Sequence, residues 1–330
     1  MAESRTIQFR QALREAMTEE MHGNDNIFLM GEEVGEYNGA YKVTQGMLDE
    51  FGYRRVIDTP IAELGFAGLG VGASMNGLRP IVEFMTWNFA LLAIDQVVNS
   101  AAKMLNMSGG QYYCPITFRG PTGSAGQLGA THSQSFDNWM ANTPGLKVMV
   151  PSDPYDAKGL LRSAINDDDP SIFMESEVMY GDEGTVPAET YTLPIGQAKV
   201  KREGSDVTLV GYGKMMKEVF QAADILEQEY EVSAEVIDLR SLRPLDFQTI
   251  VDSVQKTNRI VAVEESWPLA AMCSEITYQV QKHAFDYLDA PVKRVTGADV
   301  PMSYSGVLVD AFLPDPNKIV QQAKAALYIP

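Results

Sequence analysis

Cysteine is almost missing from this 330-residue chain: there are two, Cys114 and Cys273, far apart and in no C-x-x-C pattern. That excludes a disulfide framework and a cysteine zinc site, and it fits a reducing compartment. Histidine is nearly as scarce, with three residues, so candidates for acid–base work are few. Positive charge is short as well: 26 Lys and Arg against 44 Asp and Glu leave a net charge of -18. Nucleic acid and anionic membrane are therefore not expected as partners. No apolar run reaches the roughly 18 residues of a membrane span. The opening segment Met1–Arg10 has neither an apolar signal core nor an Arg-rich leader, so a bacterial cytoplasmic protein is expected. The chain also has no G-x-x-x-x-G-K-[S/T], no H-E-x-x-H and no G-x-S-x-G, which removes the simplest phosphate-loop, zinc-protease and serine-hydrolase readings.

What is there is a globular composition, 45% hydrophobic and 21% charged, over a length sufficient for two cores. Short β-rich runs at 27–30, 56–58, 80–84, 115–119, 147–150 and 171–175 alternate with helical patterns near 6–22, 60–76, 88–106 and 154–166. This is the pattern of an α/β fold with a mostly parallel, doubly wound sheet. The period breaks between Tyr180 and Pro194, then strands resume at 207–210, 234–239, 260–264 and 292–295. The expected organisation is a first domain over 1–185, a linker over 186–200 and a smaller α/β domain over 201–330. Ligands of such sheets bind beyond the carboxyl ends of strands. Attention falls on 58–63, 83–89 and 120–135.

The run Asp58–Gly72 places one carboxylate, Glu63, among small and apolar residues. Asp58 or Thr59 as N-cap and Pro60 in the first turn predict a helix over 60–76. Gly65, Gly68 and Gly72 would then share one bare face, each at a cost of about 1 kcal/mol relative to Ala. Close approach of a backbone, a subunit or a cofactor would offset that cost. Glu63, flanked by Ile61, Leu64 and Phe66, is expected to be partly buried, and a buried carboxylate is a candidate acid–base group. Gly68-x-Gly70-x-x-Ala73 followed by Glu83 imitates a dinucleotide fingerprint, but its glycines would lie well inside the helix.

His132 sits in a long Gly-rich loop after a strand, where it is either a solvated histidine or a functional one. Phe84–Phe89 reads as core packing or as the wall of a ligand site. Asp167–Asp169 closes a helix, so it is either a solvated turn or the neighbour of a cation. His22 and His283 are expected at the surface.

Together, Gly31-Glu-Glu-Val, Gly39-Ala-Tyr-Lys-Val, Asp58–Gly72, Glu83-Phe-Met-Thr, Phe118-Arg-Gly-Pro, His132-Ser-Gln and Asp238-Leu-Arg-Ser-Leu-Arg-Pro-Leu closely resemble the β subunits of the first component of pyruvate dehydrogenase complexes. The resemblance implies a transketolase-type pyrimidine-binding domain followed by a transketolase C-terminal-like domain. It implies an α2β2 heterotetramer that decarboxylates pyruvate with thiamine diphosphate and acetylates the lipoyl group of the acyltransferase component. Glu63 then matches the glutamate that hydrogen-bonds the aminopyrimidine ring, favouring the imino tautomer that deprotonates the thiazolium carbon. Met85 and Phe89 match residues lining the aminopyrimidine pocket, and His132 an active-site histidine of acetyl transfer. Ile116, Ala164, Ile165, Asp167 and Asp169 match a potassium site built largely from carbonyls. The Gly-Asp-Gly segment by which such enzymes hold magnesium and the diphosphate is missing here, so the α subunit is expected to supply it and the chain alone to be inactive. Within the same family, a branched-chain 2-oxo acid or acetoin dehydrogenase β subunit is the alternative reading. A non-catalytic scaffold subunit is the alternative from another class.

Overall fold

Two β-sheets organise the chain in the computed structural model, which describes residues 4–330. The larger has seven strands in the order Ser241–Arg243, Lys147–Met149, Ser171–Glu175, Thr117–Pro121, Arg79–Glu83, Ile27–Gly31 and Val56–Asp58. All neighbours are parallel except Ser241–Arg243, which runs antiparallel to Lys147–Met149. The smaller sheet has the order Lys293–Val295, Ile260–Val263, Val207–Gly211, Ala234–Asp238 and Lys199–Arg202, with only the last strand antiparallel. Helices cover the faces, as the near-continuous apolar strands require. This is the α/β architecture expected.

Phe9–Gly23 and Pro154–Asn166 lie side by side over one face of the larger sheet. Asp153 caps the second helix by accepting the Asp156 N–H at 2.8 Å. Between the two helices the buried Lys158 ammonium is neutralised by Glu15 at 3.1 Å and Glu19 at 2.7 Å. The core on the other face is continuous between the halves of the chain, running from Phe66, Phe84 and Phe118 to Ile237, Leu242 and Cys273. Its apolar burial is the main cohesive term joining them.

Four expectations are corrected. The helix expected over 60–76 is Glu63–Ser74, and its N-cap is Ala62. Asp58 is engaged elsewhere, its carboxylate accepting the N–H groups of Gly35 at 2.6 Å and Glu36 at 2.9 Å. The single helix expected over 88–106 is a 3-10 turn at Ala90–Ala93, a π-helical stretch at Gln96–Ala101 and an α-helix at Ala102–Met107. Periodicity alone does not separate these three helix types. Part of the broken segment after Tyr180 is ordered: Glu183–Pro187 pairs antiparallel with Ser4–Gln8. This two-stranded ribbon has only one buried residue on each strand, so it leaves no alternating apolar signal.

The glycine face also differs. A Cβ on Gly68 would stand 3.3 Å from the Gln96 side chain, and Gly72 has nothing within 4 Å. The glycine that lets the helix settle on the sheet is Gly70, where a Cβ would lie 2.8 Å from Val82 Cγ2 and 3.1 Å from Ile116 Cδ1. Ile61, Leu64 and Leu69 are exposed beside the open glycines. No helix of the described residues is long and apolar enough to cross a membrane.

Candidate active site

The parallel register aligns the carboxyl ends of five neighbouring strands: Gly31 stands beside both Asp58 and Glu83, and Pro121 beside Glu175. Everything that immediately follows those strands therefore converges on one edge, as expected of an open α/β sheet. Glu32 follows the first strand, Glu63 opens the helix after the second, Met85–Phe89 follows the third, and the loop holding His132 follows the fourth.

Glu63 occupies the first turn of its helix and is buried, while Ile61 and Leu64 beside it point outward and Phe66 inward. A carboxylate there faces the positive end of the helix dipole. Glu32, equally buried, has an Oε1 with no hydrogen-bond partner among the described residues. Burial pushes its pKa up to about 7, helped by the nearby carboxylates of Glu63 and Glu83. Like charges this near disfavour ionisation, so Glu32 is pushed towards its neutral form. The pair thus offers a proton and an acceptor to a ligand on the sheet edge. In the sequence Glu32 stands out only as part of Gly31-Glu-Glu-Val. Its position directly after a central strand is the signal that marks it.

Beneath this pair lies a second charged cluster that the sequence did not reveal. Arg119 is fully buried and donates Nε to Glu175 Oε1 at 2.6 Å, Nη2 to Glu175 Oε2 and Nη1 to Glu83 Oε2. Tyr180 adds its hydroxyl to Glu175 at 2.8 Å. Burial alone would lower the guanidinium pKa, but Glu175 and Glu83 outweigh it and raise it. For Glu83 burial dominates, and its pKa is raised despite Arg119. The cluster forms a rigid floor, and it engages Glu83, the residue a dinucleotide fingerprint would have used for a ribose.

Met85 and Phe89 are half-buried on the segment leaving the third strand. The expectation for Phe84–Phe89 resolves into both readings at once: Phe84 and Trp87 are core, packed at 5.3 Å, while Phe89 turns towards His132. The His132 ring meets Phe89 edge-on, with centroids 5.0 Å apart and planes at 89°. Thr131 Oγ1 lies 3.1 Å from His132 Nδ1. Tyr41, Thr86, Thr122 and Glu177 line a small cleft with His132. The loop is braced at its base by the smaller sheet's connections. The Ser124 N–H donates to Glu265 Oε1 at 2.5 Å, and Lys214 reaches both Ser124 O, at 2.9 Å, and Glu265, at 2.7 Å. Gly123, at φ +76°, is needed there, because a Cβ would stand 2.3 Å from Glu265 Oε2.

The acidic turn after Pro154–Asn166 is far from this edge and faces two cationic side chains. Arg79 donates to the carbonyls of Ile165, at 3.3 Å, and Asp167, at 3.0 Å, while Lys147 holds the Asp167 carboxylate at 2.6 Å and Asp169 at 3.2 Å. The carbonyls of Ala164 and Ile116 accept the N–H groups of Asp167 and Ser171. These carbonyls therefore each have a donor, and Arg79, which also pairs with Asp168, and Lys147 offset two of the turn's three carboxylate charges, leaving one negative charge uncompensated. Among the described residues no group of three or more His, Cys, Asp and Glu side chains is arranged to hold a metal. His22, against Glu50, and His283, stacked on Phe247, are surface residues as expected.

Residues 5–182 match the family model for the transketolase pyrimidine binding domain, and residues 196–319 that for the transketolase C-terminal domain. The chain is 53% identical over 327 residues to the pyruvate dehydrogenase E1 component subunit beta of Rhizobium meliloti, covering 99% of this chain and 71% of that one. It is 52% identical over 322 residues to the subunit of the same name from Rickettsia felis, covering 98% of both. To the mitochondrial subunit of Saccharomyces cerevisiae it is 51% identical over 331 residues, covering 99% of this chain and 90% of that one. A solved structure described as a split gene transketolase, inactive beta4 tetramer, shares the fold at a TM-score of 0.77 and 22% identity, with 98% and 99% of the two chains covered.

Proposed function

The chain belongs to the family of pyruvate dehydrogenase E1 component β subunits, and from that premise we propose that it serves, with an α subunit, in the oxidative decarboxylation of pyruvate and the acetylation of a lipoyl group. The observation that carries this reading is the buried Glu32–Glu63 carboxyl pair on the carboxyl edge of the larger sheet, beside Met85 and Phe89.

Those residues fit an aminopyrimidine. An orphaned buried carboxyl oxygen needs a polar partner, a ring nitrogen or amino group can pair with a carboxyl group here, and half-buried Met85 and Phe89 offer apolar walls for the ring. When bound, thiamine diphosphate supplies a carbon nucleophile and an electron sink for loss of CO₂. This chain's part is to present the buried Glu63 carboxyl group to the ring and to keep water away from it by burial. His132, on the braced loop across from Phe89, is assigned to the later transfer of the acetyl group to the lipoyl sulfur, acting as a proton donor or acceptor there.

The donor chemistry supports a divided site. With no cluster suited to a metal among the described residues, the chain would take Mg²⁺ and the diphosphate end from the α subunit. The open glycines Gly65 and Gly72, with exposed Ile61, Leu64 and Leu69, form the surface proposed to meet that partner in an α2β2 assembly. The acyltransferase component of the complex supplies the lipoyl group. A structural K⁺ at Ile116, Ala164, Ile165, Asp167 and Asp169 belongs to the same proposal, sharing the carbonyls with Arg79. Thermal unfolding in potassium against sodium chloride tests it, and identical midpoints would remove the ion. A cytoplasmic location is likewise proposed, to be tested by fractionation.

Co-expression with the α subunit followed by assay across 2-oxo acids is the deciding experiment. Pyruvate turnover by the pair and none by the chain alone is the expected result. A preference for branched-chain acids would move the chain to the alternative within the family, and no turnover with any acid would leave a scaffold role.

A further inference from the structure

We propose that Asn88 is a positioning residue for His132, setting where the histidine stands relative to Phe89 by holding the loop on which it rides. The inference rests on the assignment of His132 to acetyl transfer. Asn88 is buried and lies next to Phe89. Its Oδ1 accepts the backbone N–H of Gln134 at 3.0 Å and the Gln134 side-chain amide at 3.4 Å. Its own amide is oriented from behind, Nδ2 donating to Thr86 Oγ1 at 2.7 Å, with the Asn88 N–H 3.3 Å from the same oxygen. Thr86 Oγ1 in turn donates to Pro121 O at 3.4 Å, the last residue of the strand from which the loop departs.

The loop is otherwise lightly tied near the histidine. The Gly123 N–H donates to Gln134 O at 3.0 Å, closing the loop across its neck, and a single 3-10 turn at Ala130–His132 is its only regular structure. The peptide that carries the Gln134 N–H is two residues from His132. Asn88 thus links one wall of the cleft to the other: Phe89 on its own segment, His132 on the loop, the two rings 5.0 Å apart. Without Asn88 Oδ1 a half-buried N–H loses its acceptor, and the loop gains freedom where the lipoyl sulfur must be met. Misplacement of a reacting group by about 1 Å is worth on the order of 10²-fold in rate.

The test uses the complete assembly with the α subunit and compares two partial reactions: pyruvate decarboxylation read with a redox dye, and acetylation of an isolated lipoyl domain. A residue that only supports the fold lowers both alike; a residue that positions His132 lowers their ratio. For Asn88→Leu the ratio of lipoyl acetylation to decarboxylation is expected to fall about tenfold or more, in step with His132→Ala. Thr86→Val, a smaller change, is expected to move the ratio the same way by a smaller factor and covers the case in which Asn88→Leu does not fold. Amide hydrogen exchange at Gln134 should accelerate in both variants. If His132→Ala lowers the ratio and the Asn88 and Thr86 variants do not, the positioning role is wrong and the assignment of His132 stands. If the ratio is unmoved in all three, the assignment of His132 fails and the inference with it.

Discussion

Glu32 and Glu63 face one another at the carboxyl edge of the larger sheet, both buried, and among the described residues no cationic side chain forms an ion pair with either. Burial first, and Glu63 second, raise the Glu32 pKa to about 7. The folded protein therefore holds a proton that the unfolded chain, with an ordinary carboxyl near pH 4.5, has released. Glu32 contributes its full stability below that lower value and loses it as the pH rises through about 7. The thermal midpoint of Glu32→Gln should therefore match the parent near pH 4.5 and exceed it progressively towards pH 8. A difference that stays flat with pH would show that Glu32 titrates normally.

Glu63→Gln tests the chemistry of the same pair. The variant should assemble with the α subunit and bind thiamine diphosphate, as judged by calorimetry, while turnover drops by roughly 10²-fold or more, the scale of an acid–base group. Turnover close to the parent's would make Glu63 a structural carboxylate.

The helix glycines should separate by what each one touches. Gly70→Ala forces a methyl against Val82 and Ile116 and should cost about 1–3 kcal/mol in denaturant unfolding. Gly72→Ala meets nothing within 4 Å and should stabilise the chain by up to about 1 kcal/mol through helix propensity. Gly72→Leu should fold equally well yet fail to co-elute with the α subunit. Normal assembly would remove this face from the interface.

Arg119→Met should be among the most damaging single changes. It leaves Glu83 and Glu175 buried without their shared cation, a loss of about 3–5 kcal/mol on the scale of broken buried ion pairs. Arg119→Lys should recover little, because one ammonium cannot reproduce the fork that spans both carboxylates. Recovery of parental stability by lysine would mean that charge alone is required.

The ten parallel strands of the described residues were legible because buried parallel strands carry dense apolar runs, and all fall within two residues of the expected runs; the antiparallel edge strands Lys199–Arg202 and Ser241–Arg243 carry no such run and were not expected. Glu63 was legible for the opposite reason, as a charge standing where the pattern allows none. Its neighbour was not: Gly31-Glu32-Glu33-Val34 shows two adjacent glutamates, and a backbone turn with Glu33 at φ +59° sends Glu33 outward and Glu32 inward. Asp58 misled in a similar way, since a good N-cap residue is equally good at capping the turn at Gly35. Among the glycines, spacing selected Gly65, Gly68 and Gly72, but contact with the sheet falls on Gly70. Helical spacing says which residues share a face, not which face meets the neighbour. The Arg119 cluster was out of reach, because its members come from three strands and meet only through the strand order.

The antiparallel edge strand Ser241–Arg243 has a practical consequence for dissecting the protein. A fragment that stops at the end of the first half would leave Lys147–Met149 as a bare edge, its peptide groups free to pair with another copy. Such a fragment is expected to self-associate, and the two halves should be recovered in soluble form only when they are produced together.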